Sequence, residues 1–166
     1  MPRRRIKIER YWNPDPVYNS VLVTRFVNNL MRDGKKTKAQ KMFYTAMKIV
    51  EEKTNQDAFK VFQQAIKNVA PLLEVWPRRV GGATFMVPRQ VRTERRISKA
   101  IKWIIEAARN KKGKPMSQKL AEEIILASQQ EGDAYRKKLE QHKLAETNKA
   151  FAHFGWWNRK KPPLES

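Results

Sequence analysis

The chain is predicted to be mainly α, a single six-helix domain with one β-hairpin protruding between the third and fourth helices and with basic, flexible termini. Three observations carry that prediction. Apolar residues recur at helical spacing through most of the chain, only Glu74 to Pro88 reads as β, and Gly81-Gly82 stands inside that stretch. Apolar side chains three and four residues apart line one helix face, whereas paired glycines accept the positive φ angles of a tight hairpin turn. A lone hairpin is marginal in water, so this one must lean on the helices. The 166 residues, 40% of them hydrophobic, suffice for one core. They divide into a basic arm (1–16), a helical body (17–154, with the hairpin at 72–90) and a basic aromatic tail (155–166).

The arm carries Arg3, Arg4, Arg5, Lys7 and Arg10 before Pro14 and Pro16. Nothing in it is expected to pack a core, and its cations suit a segment that orders on phosphate. Helix one is expected to start at an N-cap Ser20, to bury Leu22, Phe26 and Leu30, and to end on Asp33-Gly34, with Gly34 left-handed. Lys35, Lys36 and Lys38 then fall in a loop. Gly34-Lys35-Lys36-Thr37 is not a phosphate-binding P-loop, because the earlier glycine is missing and no strand precedes it.

Helix two carries Met42, Phe43, Ala46, Ile49 and Val50 as its core face, to about Lys53. Asp57 caps helix three, which turns Phe59, Phe62, Ala65, Ile66 and Val69 inward and stops at Pro71. In the hairpin, Val80 is expected opposite Ala83 and Arg79 opposite Thr84, with Arg78 and Arg79 near the tip. Pro77 must then turn its missing N–H away from the ladder.

Thr93 is the expected N-cap of helix four, which runs to about Lys111 with Ile97, Ile101, Ile104 and Ala108 inward. Another face holds Arg92, Arg95, Arg96, Lys99, Lys102 and Arg109, interrupted only by Glu106. A charged helix face is usually solvated surface. Salt-bridge lacing would mix the signs, however, and this face is nearly all of one sign. Lys111, Lys112 and Lys114 form a basic loop. Helix five buries Met116, Leu120, Ile124 and Ala127, with Lys119, Glu122 and Glu123 outside. Helix six is expected from about Asp133 to Phe154, with Arg136, Lys137, Lys138, Lys143 and Lys149 on it; the tail after it cannot stay helical.

Charge narrows the function. Lys and Arg number 36 against 16 Asp and Glu, a net +20. Such a surplus repels itself in the compact state and calls for a polyanion, nucleic acid being the commonest. With no cysteine, disulfides, thiolate metal sites and cysteine nucleophiles are excluded. No apolar run reaches the ~18 residues that span a bilayer, and the Arg-rich start lacks the apolar core of a secretory signal. His142 and His153, eleven residues apart on one helix, would lie about 16 Å apart and share no metal ion. They read instead as phosphate or base contacts. No nucleophile elbow or paired-carboxylate cleft is visible, so binding ranks well ahead of catalysis and no cofactor is expected. Cations cluster in five separated places: the arm, the loop after helix one, the hairpin, helix four with its loop, and the last helix with its tail. Separated contacts suit a large folded target. Trp76, Trp103, Trp156 and Trp157 offer surfaces for stacking unpaired bases, although Trp103 also fits a half-buried core position.

Several stretches, in order and across nearly the whole chain, resemble the bacterial and organellar form of small-subunit ribosomal protein seven. They are Pro2-Arg3-Arg4-Arg5, Asp15-Pro16, Asp33 to Lys36, Arg78 to Gly82, Val87-Pro88, Trp103 to Arg109, and Ala145 to Phe154. The resemblance implies a six-helix domain with a hairpin arm and no enzymatic activity. It implies a primary binder of the 3′ major domain of small-subunit rRNA that nucleates the subunit head, near the tRNA exit site and the mRNA channel. Small-subunit protein eleven is an implied neighbour, repression of its own mRNA an implied activity, and no membrane partner is implied. The implied compartment is the cytoplasm of a bacterium, or an organelle's stroma or matrix. Carried over by match, Arg3 to Arg5, Lys35, Lys36, Arg78, Arg79, Arg95, Arg96, Arg109 and Lys149 are implied rRNA contacts. Lys7, Arg10, Lys38, Arg92, Lys99, Lys102, Lys111, Lys112, Lys114, Arg136, Lys137 and His153 join them on charge and position. Arg79, Gly81 and Gly82 mark the hairpin tip toward the exit site. The ending Phe154-Gly155-Trp156-Trp157 departs from the family's usual aromatic–basic–Trp close. A basic helical DNA-binding protein with a hairpin wing is the alternative reading, and an RNA-processing enzyme ranks behind it.

Overall fold

The computed structural model describes residues 12–158, with side chains to Gly155. Six α-helices and the hairpin follow in the expected order: α1 Val21–Leu30, α2 Lys36–Thr54, α3 Ala58–Val69, β1 Leu73–Val80, β2 Ala83–Gln90, α4 Thr93–Asn110, α5 Met116–Ser128 and α6 Gly132–Thr147. A seventh, 3-10, helix at Lys149–Asn158 was not expected. Helix six therefore ends seven residues before Phe154. At that point Asn148 Nδ2 and Thr147 Oγ1 turn back onto the carbonyls of Leu144 and Lys143, at 2.8 and 2.9 Å. Such local bonds compete with helical continuation. The tighter 3-10 turn then lays Phe151 and Phe154 against Phe85 of β2, with ring centroids 5.2 and 4.9 Å apart. The residues after Phe154 also stay helical, to Asn158, contrary to expectation.

The core is helical. Phe26, Phe43 and Phe62 of α1, α2 and α3 meet at centroid distances of 5.2–5.4 Å, all fully buried. Around them pack Met47, Ile101, Ile104, Leu120 and Ile124. Helix α5 packs against α2, α3, α4 and α6. Asp57 caps α3 as expected, accepting from Phe59 N at 2.9 Å. Met42 is displaced from its expected core position: it is 37% exposed, and Met47 fills the interior instead.

The end of the arm packs after all. Asp15 is buried and accepts from Val17 N (3.1 Å), Tyr18 N (3.2 Å) and the Tyr44 hydroxyl (2.8 Å). Thr24 Oγ1 donates to the carbonyl of Asn13. Burial, then the bond to Asp15, pushes Tyr44 up to about 12. Ser20 holds the N-cap position of α1 without a side-chain bond, and Thr93 is the first residue of α4 rather than its cap. Helix α1 closes at Leu30, so Asp33 and Gly34, both at positive φ, shape the entry to α2. Lys36 and Lys38 thus belong to the first turn of α2 and not to a loop.

The hairpin register is the one expected, Val80 opposite Ala83 and Arg79 opposite Thr84, with Gly81 at φ +56° and Gly82 at φ +88°. A two-residue turn closes on a hydrogen-bonded pair, and such pairs alternate along an antiparallel ladder. Counting from Val80–Ala83, both Pro77 and Pro88 occupy non-hydrogen-bonded pairs, so neither missing N–H interrupts the ladder. The bond from Val91 N to Leu72 O, 3.0 Å, falls where this alternation requires it.

Candidate nucleic-acid interface

The basic residues divide into those held by the protein's own acceptors and those left to solvent. Glu74 organises the largest held group. Only 1% exposed, it takes Arg89 Nε at 3.1 Å, Arg95 Nε at 3.0 Å and Lys99 Nζ at 2.8 Å. Burial alone would raise its pKa, yet bonds from Lys99, Trp76, Arg95 and Arg89 hold it at about 2. The guanidinium of Arg89 lies 4.1 Å from the Trp76 ring centroid and that of Arg95 lies 5.2 Å from it. These cation–π contacts occupy the ring read above as a base-stacking surface. Trp103 is half-buried against the core, with Lys99 5.7 Å from its ring.

A second group surrounds α5 and α6. Glu123, expected outside, is fully buried, because α6 folds its start over it. Its Oε1 accepts from Ala134 N at 2.9 Å, capping α6, while Oε2 lies 2.7 Å from Lys111 Nζ. Gly132 permits this approach: a Cβ there would meet Glu123 Oε1 at 3.0 Å, and its φ is +88°. Lys114 pairs with Glu122, Lys137 with Glu106 at 2.9 Å, and Arg136 with Asp133.

A third group sets two cations beside a neutral imidazole. Arg96, Lys138 and His142 lie between α4 and α6. Burial, then Arg96, lowers the pKa of Lys138; burial, then Lys138 and Arg96, lowers that of His142. Lys138 Nζ donates to Asn68 O, and His142 Nε2 accepts from Leu72 N at 3.0 Å. His142 is therefore an internal acceptor rather than the expected phosphate or base contact. His142 and His153 also stand on different helices. Nδ1 of exposed His153 lies 2.8 Å from Ala150 O, and its ring packs 4.0 Å from that of Phe154.

Lys36, Lys38, Arg79, Arg92, Lys102, Lys112 and Lys149 are exposed and, among the described residues, form no ion pair. Lys35 has only a 3.9 Å approach to exposed Asp33. Arg109 donates to Leu30 O at 3.1 Å and joins α4 to the end of α1; burial, then Arg32, lowers its pKa. Arg78 is half-buried and donates to Phe154 O, whereas Arg79 beside Gly81-Gly82 is exposed. Sequence reasoning missed Arg32 and Arg89. The signal for Arg89 was its place opposite Glu74, once the register was set. Arg3, Arg4, Arg5, Lys7 and Arg10 lie outside the described residues, as do the side chains of Trp156 and Trp157. Among the described residues, no group of three His, Cys, Asp or Glu could hold a metal ion, and no helix is long and apolar enough to cross a membrane.

Residues 2–149 match the family model described as ribosomal protein S7p/S5e. A protein named small ribosomal subunit protein uS7 from Thermotoga petrophila is 56% identical over 156 residues, 94% of this chain and 100% of its own. Proteins of the same name from Caldanaerobacter subterraneus and Dictyoglomus thermophilum are each 53% identical over the same shares.

Proposed function

The chain belongs to the ribosomal protein S7p/S5e family, and from that premise we propose that it is a structural constituent of the small ribosomal subunit that binds small-subunit rRNA directly. On this reading it nucleates folding of the subunit head around the 3′ major domain, in the cytoplasm. It points its hairpin toward the tRNA exit site beside the mRNA channel and neighbours protein eleven. Its RNA-binding surface also serves repression of its own mRNA. The observation that carries the proposal is how the charge is used. Glu74, Glu106, Glu122, Glu123 and Asp133 are engaged in internal pairs, so much of the +20 surplus faces outward from the hairpin, α2, α4 and its loop, and the 3-10 helix. Cations on such separate elements match a folded RNA better than a single duplex groove.

Protection mapping of small-subunit rRNA with the pure protein tests this directly. The expected footprint is confined to the 3′ major domain. About ten phosphate contacts would give a log–log salt slope near −7 to −9. Equal affinity for random duplex DNA at the same salt would sink the reading in favour of the DNA-binding alternative.

A further inference from the structure

Where α1 ends, α2 begins and α4 closes, the surface holds a concavity of about 280 Å³. Its apolar lining is Leu30, Ala39, Met42 and Met116. Its charged lining is Arg32, Lys35, Lys38 and Arg109, against a single acid, Asp33. We propose that this concavity takes one unstacked nucleotide of the bound RNA, the base against the Met42 floor and the phosphate on the cationic rim. The inference rests on the RNA-binding reading above and names a subsite within it.

Three features select a nucleotide. The rim offers four cations and one carboxylate, so the occupant is anionic. The volume is at or below the ~300–1,000 Å³ of drug-sized sites. That is room for one planar ring system and too little for a helix. Methionine thioethers pack well against π faces, and the lining takes one Met from each of two helices, Met42 of α2 and Met116 of α5. Met42 is 37% exposed on a turn whose neighbours Lys38 and Lys41 are also exposed, an apolar group left uncovered among charges. Arg109, which lines the concavity, is held there by its 3.1 Å bond to Leu30 O. Burial, and after it the nearby Arg32, lowers the Arg109 pKa, and a phosphate between the two guanidiniums offsets the repulsion part of that shift.

The test uses the full chain and small-subunit rRNA. Met42→Trp fills the concavity with the protein's own ring. Loss of one base-stacking contact is expected to weaken binding about 5- to 150-fold with the salt slope unchanged, since no phosphate contact is removed. Lys35→Ala with Lys38→Ala is expected to flatten the slope by about one unit per contact. A diazirine-bearing side chain at position 42, where exposure leaves the fold intact, is expected to crosslink the base of one unpaired nucleotide. Unchanged affinity of Met42→Trp, a slope that falls with it, or a crosslink to paired nucleotides or to another protein of the subunit overturns the proposal. A wild-type chain that fails to bind rRNA defeats the ribosomal reading itself, a distinguishable failure.

Discussion

Lys99 Nζ lies 2.8 Å from Glu74 Oε2, tying the root of the hairpin to α4. Two guanidiniums, Arg89 from β2 and Arg95 from α4, complete the cluster around one buried carboxylate. Sequence patterning marked Arg95 and Lys99 as solvent-facing contacts, and the structure gives them an internal duty. Either residue can still meet phosphate from its exposed side, but its first partner is Glu74. The hairpin is therefore an arm whose angle is set by charge as well as by its apolar stem.

Glu74→Gln should loosen that angle. Breaking a buried ion pair costs about 3–5 kcal/mol. The three cations here are partly exposed, so solvent recovers some of the loss, and about 2–3 kcal/mol is expected in denaturant unfolding. Because the folded pKa is depressed, the carboxylate's contribution is complete above its ordinary 4.5 and is lost as pH falls toward about 2. A variant whose acid unfolding matches wild type across that window would remove the clamp.

His142 acts in the same direction at milder pH. It accepts the Leu72 N–H just before β1, and its pKa is lowered by burial, then by Lys138 and Arg96. Protonation removes the acceptor and places a third cation beside two others. Stability supplied by the neutral ring is present above its ordinary value of 6.5 and declines below it. The protection factor of the Leu72 amide, its exchange rate taken relative to the intrinsic rate at each pH, should fall as pH drops below 6.5. His142→Gln, which keeps an acceptor but cannot titrate there, should abolish that dependence.

Gly132 is the glycine least able to accept a side chain. In Gly132→Ala the Cβ meets Glu123 Oε1 at 3.0 Å and Leu126 Cβ at 3.1 Å, at a left-handed φ. The backbone alone costs about 1–2 kcal/mol, and the crowded carboxylate that caps α6 adds to it. A loss of about 2 kcal/mol or more is expected in thermal or urea unfolding. Gly113→Ala, at a similar φ but with open space around it, should stay near the backbone value.

What the sequence revealed depended on distance along the chain. The hairpin register was legible because Gly81-Gly82 fixes it within a few residues, and Asp57 because its partner is Phe59. Glu123 was not legible: it looks like its neighbour Glu122, and its burial depends on α6 folding back across it. The true end of α6 was hidden for the same reason, since Phe85 receives Phe151 and Phe154 from more than sixty residues away. One-signed charge on α4 was visible, while the buried acid that answers it came from another element. For RNA contacts the readable quantity was the surplus of cations, not which of them solvent retains.

Arg78 and Arg79 separate those two uses within one dipeptide. Arg78 is half-buried and donates to Phe154 O, fastening the hairpin to the 3-10 helix beside the Phe85–Phe154 contact. Arg79 alternates to the other face, is exposed, and has no ion pair among the described residues. Arg79→Ala should therefore leave the melting temperature within measurement error and flatten the salt slope of rRNA binding by about one unit. Arg78→Ala should cost about 1.5–3 kcal/mol, as for a hydrogen bond involving a charged group, and should speed amide exchange along Lys149–Asn158. If both variants alter only RNA binding, Arg78 is a second contact and the hairpin stands on its apolar stem and Glu74 alone. If both alter only stability, the tip makes no phosphate contact.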